Sequence, residues 1–344
     1  MATAAKKRAS TKSTPVQRTY LVGDVGGTRT RLALYASTGR APLAEAVLPS
    51  REHATFEEIA ERFLAASSFP HPEAAVIGVA GPVRDRTAAV TNLPWKIEER
   101  VLVRRLGIPH VRLHNDLVVG ARGCLEVGAR DLEVLTDKPP SKKGQHLGVL
   151  AAGTGLGEAR LVWTGDRYLP LATEGGHCDF APRSALELEL WSFLSARFPD
   201  HVSYERVVSG DGLGALYDFF LSRGGREPRA VAKRLAEGDR NAVIAELGLA
   251  RTHKPAALAV DLFARIYGAE ASNVALRELA LGGVYVIGNI GHRIVPARRE
   301  IFLEGFLHKG RFSELLATIP IAVVTDPLVG LRGALAMARE MAEG

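Results

Sequence analysis

Twice in 344 residues an apolar strand runs straight into a glycine turn, and this repetition restricts the fold more than any other feature of the chain. The first instance is Leu21-Val22-Gly23-Asp24-Val25-Gly26-Gly27-Thr28; the second is Val149-Leu150-Ala151-Ala152-Gly153-Thr154-Gly155-Leu156-Gly157. One Gly-Gly pair after a strand is most often a plain hairpin turn. Glycine also removes the Cβ barrier to close backbone approach and to positive φ, so main-chain N–H groups can gather round an oxyanion. In the first turn Asp24 stands beside Gly26, Gly27 and Thr28, where a carboxylate can meet a cation that travels with a phosphate. Two such turns in one chain are harder to explain as hairpins alone.

The strands between and after these turns alternate with helices. Tyr20–Asp24, Thr30–Tyr35 and Leu43–Leu48 read as strands, and Phe56, Ile59, Ala60, Phe63 and Leu64 recur at helical spacing. Ala74–Ala80 is continuously apolar and stops at Gly81-Pro82, as a strand buried on both faces does. A helix over about 98–106 leads into strand His110–Leu113 and then Asn115-Asp116. The alternation predicts an α/β fold with parallel pairing. Thr136–Gly144, rich in proline and lysine, is the best linker, and a second strand set opens at His146 on the same theme of strand, glycine turn and strand. The two halves therefore suggest a duplicated unit. From about Ser184 to Ala280 the pattern is mostly helical; Gly282–Gly288 and Ile319–Val324 are further strands, with Leu328–Ala338 a closing helix.

The length exceeds the usual span of one core, so two domains are expected. The boundaries predicted are residues 19–126 with about 318–344 for a small domain, and 127–317 for a larger, more helical one. The net charge is +6, but Lys6, Lys7, Arg8, Lys12 and Arg18 lie in an opening segment without an acid, leaving +1 for the rest. Residues 1–18 are expected to be a disordered basic tail, and no nucleic-acid partner is expected. Cys124 and Cys178 alone cannot form a disulfide framework or a four-cysteine zinc site, and no apolar run nears the roughly 20 residues a bilayer requires. A cytoplasmic chain without a membrane partner is expected.

Polar clusters sit after strand ends: His114-Asn115-Asp116, then Glu174-Gly175-Gly176-His177-Cys178-Asp179, then Glu205. In open α/β sheets ligands bind beyond the carboxyl ends of the strands. Asn115-Asp116 could equally cap a helix, Glu205 could be a surface charge, and Glu174, His177 and Asp179 could form a turn network in place of a metal site. The order and wording of these segments resemble the bacterial glucokinase family, in the superfamily of sugar kinases, actin and the seventy-kilodalton chaperones. The resemblance runs from about residue 20 to 335 and includes Arg31-Leu32-Ala33-Leu34, Thr91-Asn92-Leu93-Pro94-Trp95, Glu205-Arg206-Val207-Val208-Ser209-Gly210 and Lys309-Gly310-Arg311-Phe312. Its most specific block is Glu174-Gly175-Gly176-His177-Cys178-Asp179-Phe180-Ala181-Pro182.

The resemblance implies a two-domain actin-like ATPase fold, of the ribonuclease H type, with a cleft between the domains. It implies ATP-dependent transfer of the γ-phosphoryl group to the 6-hydroxyl of glucose, and a homodimer. Asp116 would be the catalytic base; Asn115, Asp116, Glu174, His177 and Glu205 would hold the sugar. The nucleotide would lie on Asp24, Gly26, Gly27, Thr28, Gly153, Thr154, Gly155 and Gly288, with Asp24 meeting magnesium. An aspartate of ordinary pKa, about 3.9, is ionised at neutral pH and would need no large shift. Gly288-Asn289 departs from the family's usual Gly-Gly, a place where asparagine would be asked to tolerate left-handed backbone. Arg29-Thr30 departs as well, with Arg29 expected to face solvent. A kinase for another hexose, a non-catalytic sugar-binding regulator and a dinucleotide-dependent dehydrogenase are the competing readings; Asp24-Val25-Gly26-Gly27-Thr28 lacks the dehydrogenase spacing of Gly-x-Gly-x-x-Gly.

Overall fold

In the computed structural model, which describes residues 18–343, the first glycine turn joins β1 (Thr19–Val25) to β2 (Arg29–Ala36), and β3 (Pro42–Pro49) completes a meander. Helix α1 (Phe56–Ala65) follows, opened by Thr55, whose hydroxyl accepts the Glu58 N–H. Strand β4 (Ala74–Val79) is wholly buried and pairs parallel to β1. Three short strands, β5 (Val83–Arg84), β6 (Thr87–Ala89) and β7 (Lys96–Glu98), form a small sheet of their own that the apolar pattern was too brief to announce. Helix α2 (Glu99–Leu106) leads to β8 (His110–Asn115), parallel to β4, and α3 (Asp116–Cys124) starts at the end of that strand. The resulting sheet has the order β3-β2-β1-β4-β8.

A second sheet repeats the order. After the short strand β9 (Leu132–Val134), the second glycine turn joins β10 (Leu147–Ala152) to β11 (Leu156–Trp163), and β12 (Tyr168–Thr173) follows. The chain then turns helical through α4 (Ala185–Ser195), α5 (Gly210–Ser222), α6 (Arg229–Glu237), α7 (Arg240–Leu249) and the long α8 (Lys254–Arg277). Strand β13 (Gly283–Ile287) pairs parallel to β10; α9 (Asn289–Ala297), α10 (Arg299–Leu307), α11 (Ser313–Ala317), β14 (Ile321–Val324) and α12 (Val329–Glu343) close the chain. The order is β12-β11-β10-β13-β14-β9. The fold is α/β, as expected.

Two details shift the sequence reading. The return to the first sheet expected from about residue 318 is made by α12, which packs on β1, β4 and α3; β14 stays in the second sheet, between β13 and β9. All four residues of β14 are buried, a pattern that either sheet satisfies, so spacing could not choose between them. The disordered tail expected over 1–18 falls, apart from Arg18, outside the described residues.

Helices α3 and α12 cross at backbone contact. A Cβ on Gly123 would lie 1.9 Å from the Val329 carbonyl oxygen, and one on Gly333 would lie 1.8 Å from that of Val119. Only glycine permits such an approach. Helix α3 is shared between the two halves: Val119 packs with β1, β4 and α12, while Ala121 and Cys124 join the core of β10, β11 and β13. Among the described residues no helix is long and apolar enough to cross a membrane.

Candidate active site

The carboxyl ends of β1, β4 and β8 form one edge of the site. In the register of the sheet, Asp24 stands opposite Gly78 and Gly78 opposite His114, so Asp24 and the β8 end lie two strands apart, roughly 10 Å at the usual strand spacing. Gly78 supplies the room. A Cβ there would meet the Val119 side chain at 2.5 Å and the Asp116 Cα at 3.7 Å. Glycine at this point lets α3 settle on the sheet with its first residue next to β4, and a glycine inside an otherwise apolar strand was the one signal that could have exposed this role.

Asn115 does cap α3, its Oδ1 accepting the Leu117 N–H at 2.9 Å. Its Nδ2 donates to the Gly81 carbonyl at 3.2 Å, which fixes the amide's orientation. The capping and the functional readings of Asn115 are therefore compatible. Asp116 is the first residue of α3, half-buried, and its Oδ1 accepts the Leu117 N–H at 3.0 Å. Among the described residues no cation pairs with it. Burial and the neighbouring charges of Asp24 and Glu174 push its pKa up to about 7, while the backbone N–H groups of the helix start act the other way. The expectation of an ordinary aspartate is corrected by this clustering of acids, which the sequence spreads over 150 residues.

Asp24 remains open to solvent although protein atoms crowd it. The crowding raises its pKa above the ordinary value, and Arg31, its cross-strand partner, pulls in the other direction. Because water reaches the carboxylate, solvent screens that shift. The turn that follows is closed by Gly26 N–H donating to the Arg29 carbonyl at 3.0 Å and braced by buried Ser50, whose hydroxyl donates to the Gly26 carbonyl at 2.8 Å. A Cβ on Gly27 would sit 2.6 Å from the Thr91 carbonyl oxygen, so the Thr91-Asn92 corner packs directly on the turn. Among the described residues, the N–H groups of Gly27 and Thr28 have no acceptor. Arg29 is exposed, as expected.

The second turn repeats the arrangement. Gly153 N–H donates to the Gly155 carbonyl at 2.9 Å, and the N–H groups of Thr154 and Gly155 have no acceptor among the described residues. The α5 start closes in, with Gly210 N–H donating to the Gly153 carbonyl at 2.8 Å. Gly288, φ +85°, brings the end of β13 against β10: a Cβ there would meet the Ala152 carbonyl oxygen at 2.8 Å. Asn289 is the first residue of α9 and is not left-handed, so the strain expected at that departure falls on Gly288 alone. Backbone N–H groups without protein partners among the described residues, beside the N-termini of α5 and α9, are donors placed to receive a phosphate.

Glu205 meets this turn directly. Its Oε2 accepts the Leu156 N–H at 3.0 Å, and a Cβ on Gly155 would fall 2.4 Å from that oxygen. His177 lies between two acids, with Nδ1 4.0 Å from Glu205 and Nε2 4.0 Å from Glu174. Glu174, His177 and Glu205 thus share one face, and the Glu174 side chain is 78% exposed on it. Asp179 does not join them; it pairs with His201 at 3.0 Å. Among the described residues no cluster of three or more acids, histidines or cysteines could hold a metal alone.

The geometry has parallels in known proteins. A family model described as Glucokinase matches residues 21–341. A glucokinase of Nostoc punctiforme is 35% identical over 338 residues, covering 91% of this chain and 97% of the relative. The solved glucokinase of an Antarctic psychrotroph superposes with a TM-score of 0.80 at 26% identity, covering 94% of this chain and 99% of that one. The glucokinase of Balamuthia mandrillaris, solved in complex with glucose, superposes with a TM-score of 0.78 at 22% identity, covering 94% of each chain. With the family model spanning both sheets and the whole candidate site, the chain belongs to the glucokinase family.

Proposed function

We propose that the chain phosphorylates D-glucose at the 6-hydroxyl with ATP, with Asp116 as the base. The observation that carries this reading is the Asp116 carboxylate itself, without a cation partner among the described residues and among other acids, on the same sheet edge as Asp24. Phosphoryl transfer asks a protein mainly to align donor and acceptor, neutralise charge on the oxygens and receive the hydroxyl proton. Asp116 takes that proton as the sugar O6–P bond forms and the bond from the γ-phosphorus to the β,γ-bridging oxygen breaks, releasing ADP. A base with a pKa near 7 accepts the proton more readily than an ordinary aspartate and is still half ionised at neutral pH.

Asn115, Glu174, His177 and Glu205 hold the remaining hydroxyls in this reading. Carboxylates and amides suit neighbouring hydroxyls, and an epimer would leave one of them unpaired. The uncovered N–H groups of Gly27, Thr28, Thr154 and Gly155 receive the nucleotide phosphates, with Gly26, Gly153 and Gly288 shaping the two turns. Asp24, with Arg31 as the cation that opposes its charge among the described residues, is the residue that would hold magnesium arriving with the phosphates. Magnesium supplies charge neutralisation on the phosphate oxygens. The domain division is read as two actin-like halves facing a cleft, the smaller built on the first sheet plus α12, the larger on the second. Cytoplasm as the compartment and a homodimer as the assembly belong to the same reading and rest on family resemblance. A coupled assay of ATP consumption with glucose, mannose, fructose and N-acetylglucosamine side by side tests enzyme class and substrate together. Glucose is expected to give the highest kcat/KM; no turnover with any of the four would end the reading.

A further inference from the structure

A buried ionic network lies under the sugar face and belongs to no step of the reaction. Glu158 is on β11, 3% exposed, and Glu270 on α8 is fully buried. Arg277 bridges them, donating to Glu158 Oε2 at 3.0 Å and to Glu270 Oε1 at 2.7 Å. Asn273 donates to Glu270 Oε2 at 2.8 Å and to the Tyr204 hydroxyl at 3.0 Å, and Lys309 donates to its Oδ1. Both ends of this network touch the segments that carry Glu174, His177 and Glu205.

At one end the Glu158 carboxylate is pressed against Gly175: a Cβ there would lie 1.9 Å from Oε2. Gly176 lies as close to β11, 2.0 Å from the Leu156 carbonyl by the same construction. The Glu174–His177 turn therefore lies flat on the carboxylate and the strand, and its two glycines are what allow it. At the other end Tyr204 immediately precedes Glu205, and its N–H donates to the Cys178 carbonyl at 3.0 Å. Glu158 Oε1 has no hydrogen-bond partner among the described residues. A buried acid in that state is costly unless it carries a proton or a specific purpose.

We propose that Glu158, Glu270 and Arg277 are positioning residues that hold the Glu174–His177 turn and Tyr204-Glu205 in register for the sugar. The inference rests on the sugar-side reading of Glu174, His177 and Glu205. It extends to proton dependence. Burial and the charge of Glu270 push the Glu158 pKa up to about 8, and Arg277 opposes them. Glu278 also faces Glu158; Lys309 faces Glu270 and Arg277 with Arg183 beside it, Tyr204 faces Glu270, and Cys178 faces Arg277. At neutral pH the Glu158–Glu270 pair therefore retains a proton, and losing it as pH rises sets two buried charges beside each other and loosens the turn.

The test compares Glu158→Ala, Glu158→Gln and Glu174→Gln in the full chain, with glucose and ATP kinetics from pH 7 to 9 and thermal unfolding of each variant. Loss of the bridge is expected to raise KM for glucose about tenfold in Glu158→Ala and to leave KM for ATP within about twofold. Glu158→Gln keeps an acceptor for Arg277 and cannot ionise, so it restores KM for glucose. It also removes the rise in that KM that the unmodified chain shows toward pH 9. Equal changes in both KM values for Glu158→Ala, or an unchanged glucose KM in the folded variant, would overturn the proposal. If Glu158→Ala does not fold, Glu158→Gln decides: an alkaline rise identical to that of the unmodified chain overturns it. Glu174→Gln separates the two claims, because an unchanged glucose KM there removes the sugar-side reading itself, whereas a raised one with a silent Glu158→Ala removes only the positioning network.

Discussion

Asp116 and Asp326 occupy the same place in the two halves of the molecule. Each follows the fifth strand of the shared order, β8 in one sheet and β14 in the other, and each stands at the start of one of the two helices that cross between the sheets. Each also accepts a helix-start N–H, Leu117 for Asp116 and Leu328 for Asp326, the latter at 2.9 Å. Their surroundings differ in one respect. Asp326 is paired with Arg332 of the helix that follows it, and Asp116 faces Asp24 and Glu174 with no cation partner among the described residues. The first sheet shows the same asymmetry two strands over, on β1: by register Asp24 corresponds to Ala151, since each is paired one residue before the turn. The repeated scaffold thus leaves the Asp24 and Asp116 positions charged in one half and neutral or paired in the other, and in the proposed reading the proton and cation chemistry rests on those two acids and not on the fold that repeats.

The largest expected effect breaks or sustains this contrast outright. Asp116→Asn should lower kcat about a thousandfold, within the usual range for removing a general base, while glucose still binds. Equilibrium binding of glucose and single-turnover phosphorylation check both halves of that statement. Asp326→Asn should leave kcat nearly unchanged; a comparable loss in both variants would show that the position, and not the missing cation, matters. Next in size is Asp24→Asn, expected to lower kcat/KM for magnesium-ATP about a hundredfold by removing charge complementary to the cation. The same substitution removes the nearest charge that raises the Asp116 pKa. Its acid limb should therefore move to lower pH, and a limb that stays in place would separate Asp24 from Asp116 electrostatically.

The limb itself is a prediction of the unmodified chain. Asp116 must be ionised to accept a proton, and its pKa is raised to about 7, so kcat/KM for glucose should fall about tenfold per pH unit below that value. An ordinary aspartate would hold activity to about pH 4. A pH profile between 5 and 9 distinguishes them, and a flat acid side would return Asp116 to the ordinary range. For stability the sign is opposite to that of a salt-bridged acid. A native pKa above the unfolded value means the group favours the folded state most below about pH 4, and that contribution is lost as pH rises through about 7.

Much of this was legible in the sequence for stated physical reasons. Strands β1, β4, β10 and β13 are buried on both faces, so their apolar runs are continuous and stop at glycine, and both phosphate-type turns followed from them. Asn115, Glu174, His177 and Glu205 were candidates because each follows a strand end or lies in a motif, and the structure sets Glu174, His177 and Glu205 on one face. Other features were hidden because they depend on distant partners. Glu158 sits in a strand with nothing around it to mark it, and its meaning comes from Glu270, Arg277 and Gly175 across the fold. The raised pKa of Asp116 needs Asp24 and Glu174 beside it, and no local pattern brings those together. Strand β14 was assigned to the wrong sheet because burial pattern identifies a strand without naming its neighbour.

The smallest expected effect concerns Asp326, whose interest lies in what neutralisation contributes. Its side chain is 6% exposed, while that of Arg332 is 30% exposed, so water already screens the pair in part. Asp326→Asn keeps the helix-start hydrogen bond to Leu328 in form and removes only the charge, which leaves Arg332 without its partner. A loss of about 1 kcal/mol is expected, the scale of one hydrogen bond to a charged group after screening. Chemical denaturation at pH 7 measures it, and Arg332→Met should cost more, because the aspartate left behind is the more buried of the two. Were Asp326→Asn as stable as the unmodified chain and Arg332→Met equally silent, pairing would not be what distinguishes this half from the other, and the lone state of Asp116 would lose its meaning as the mark of the reactive side.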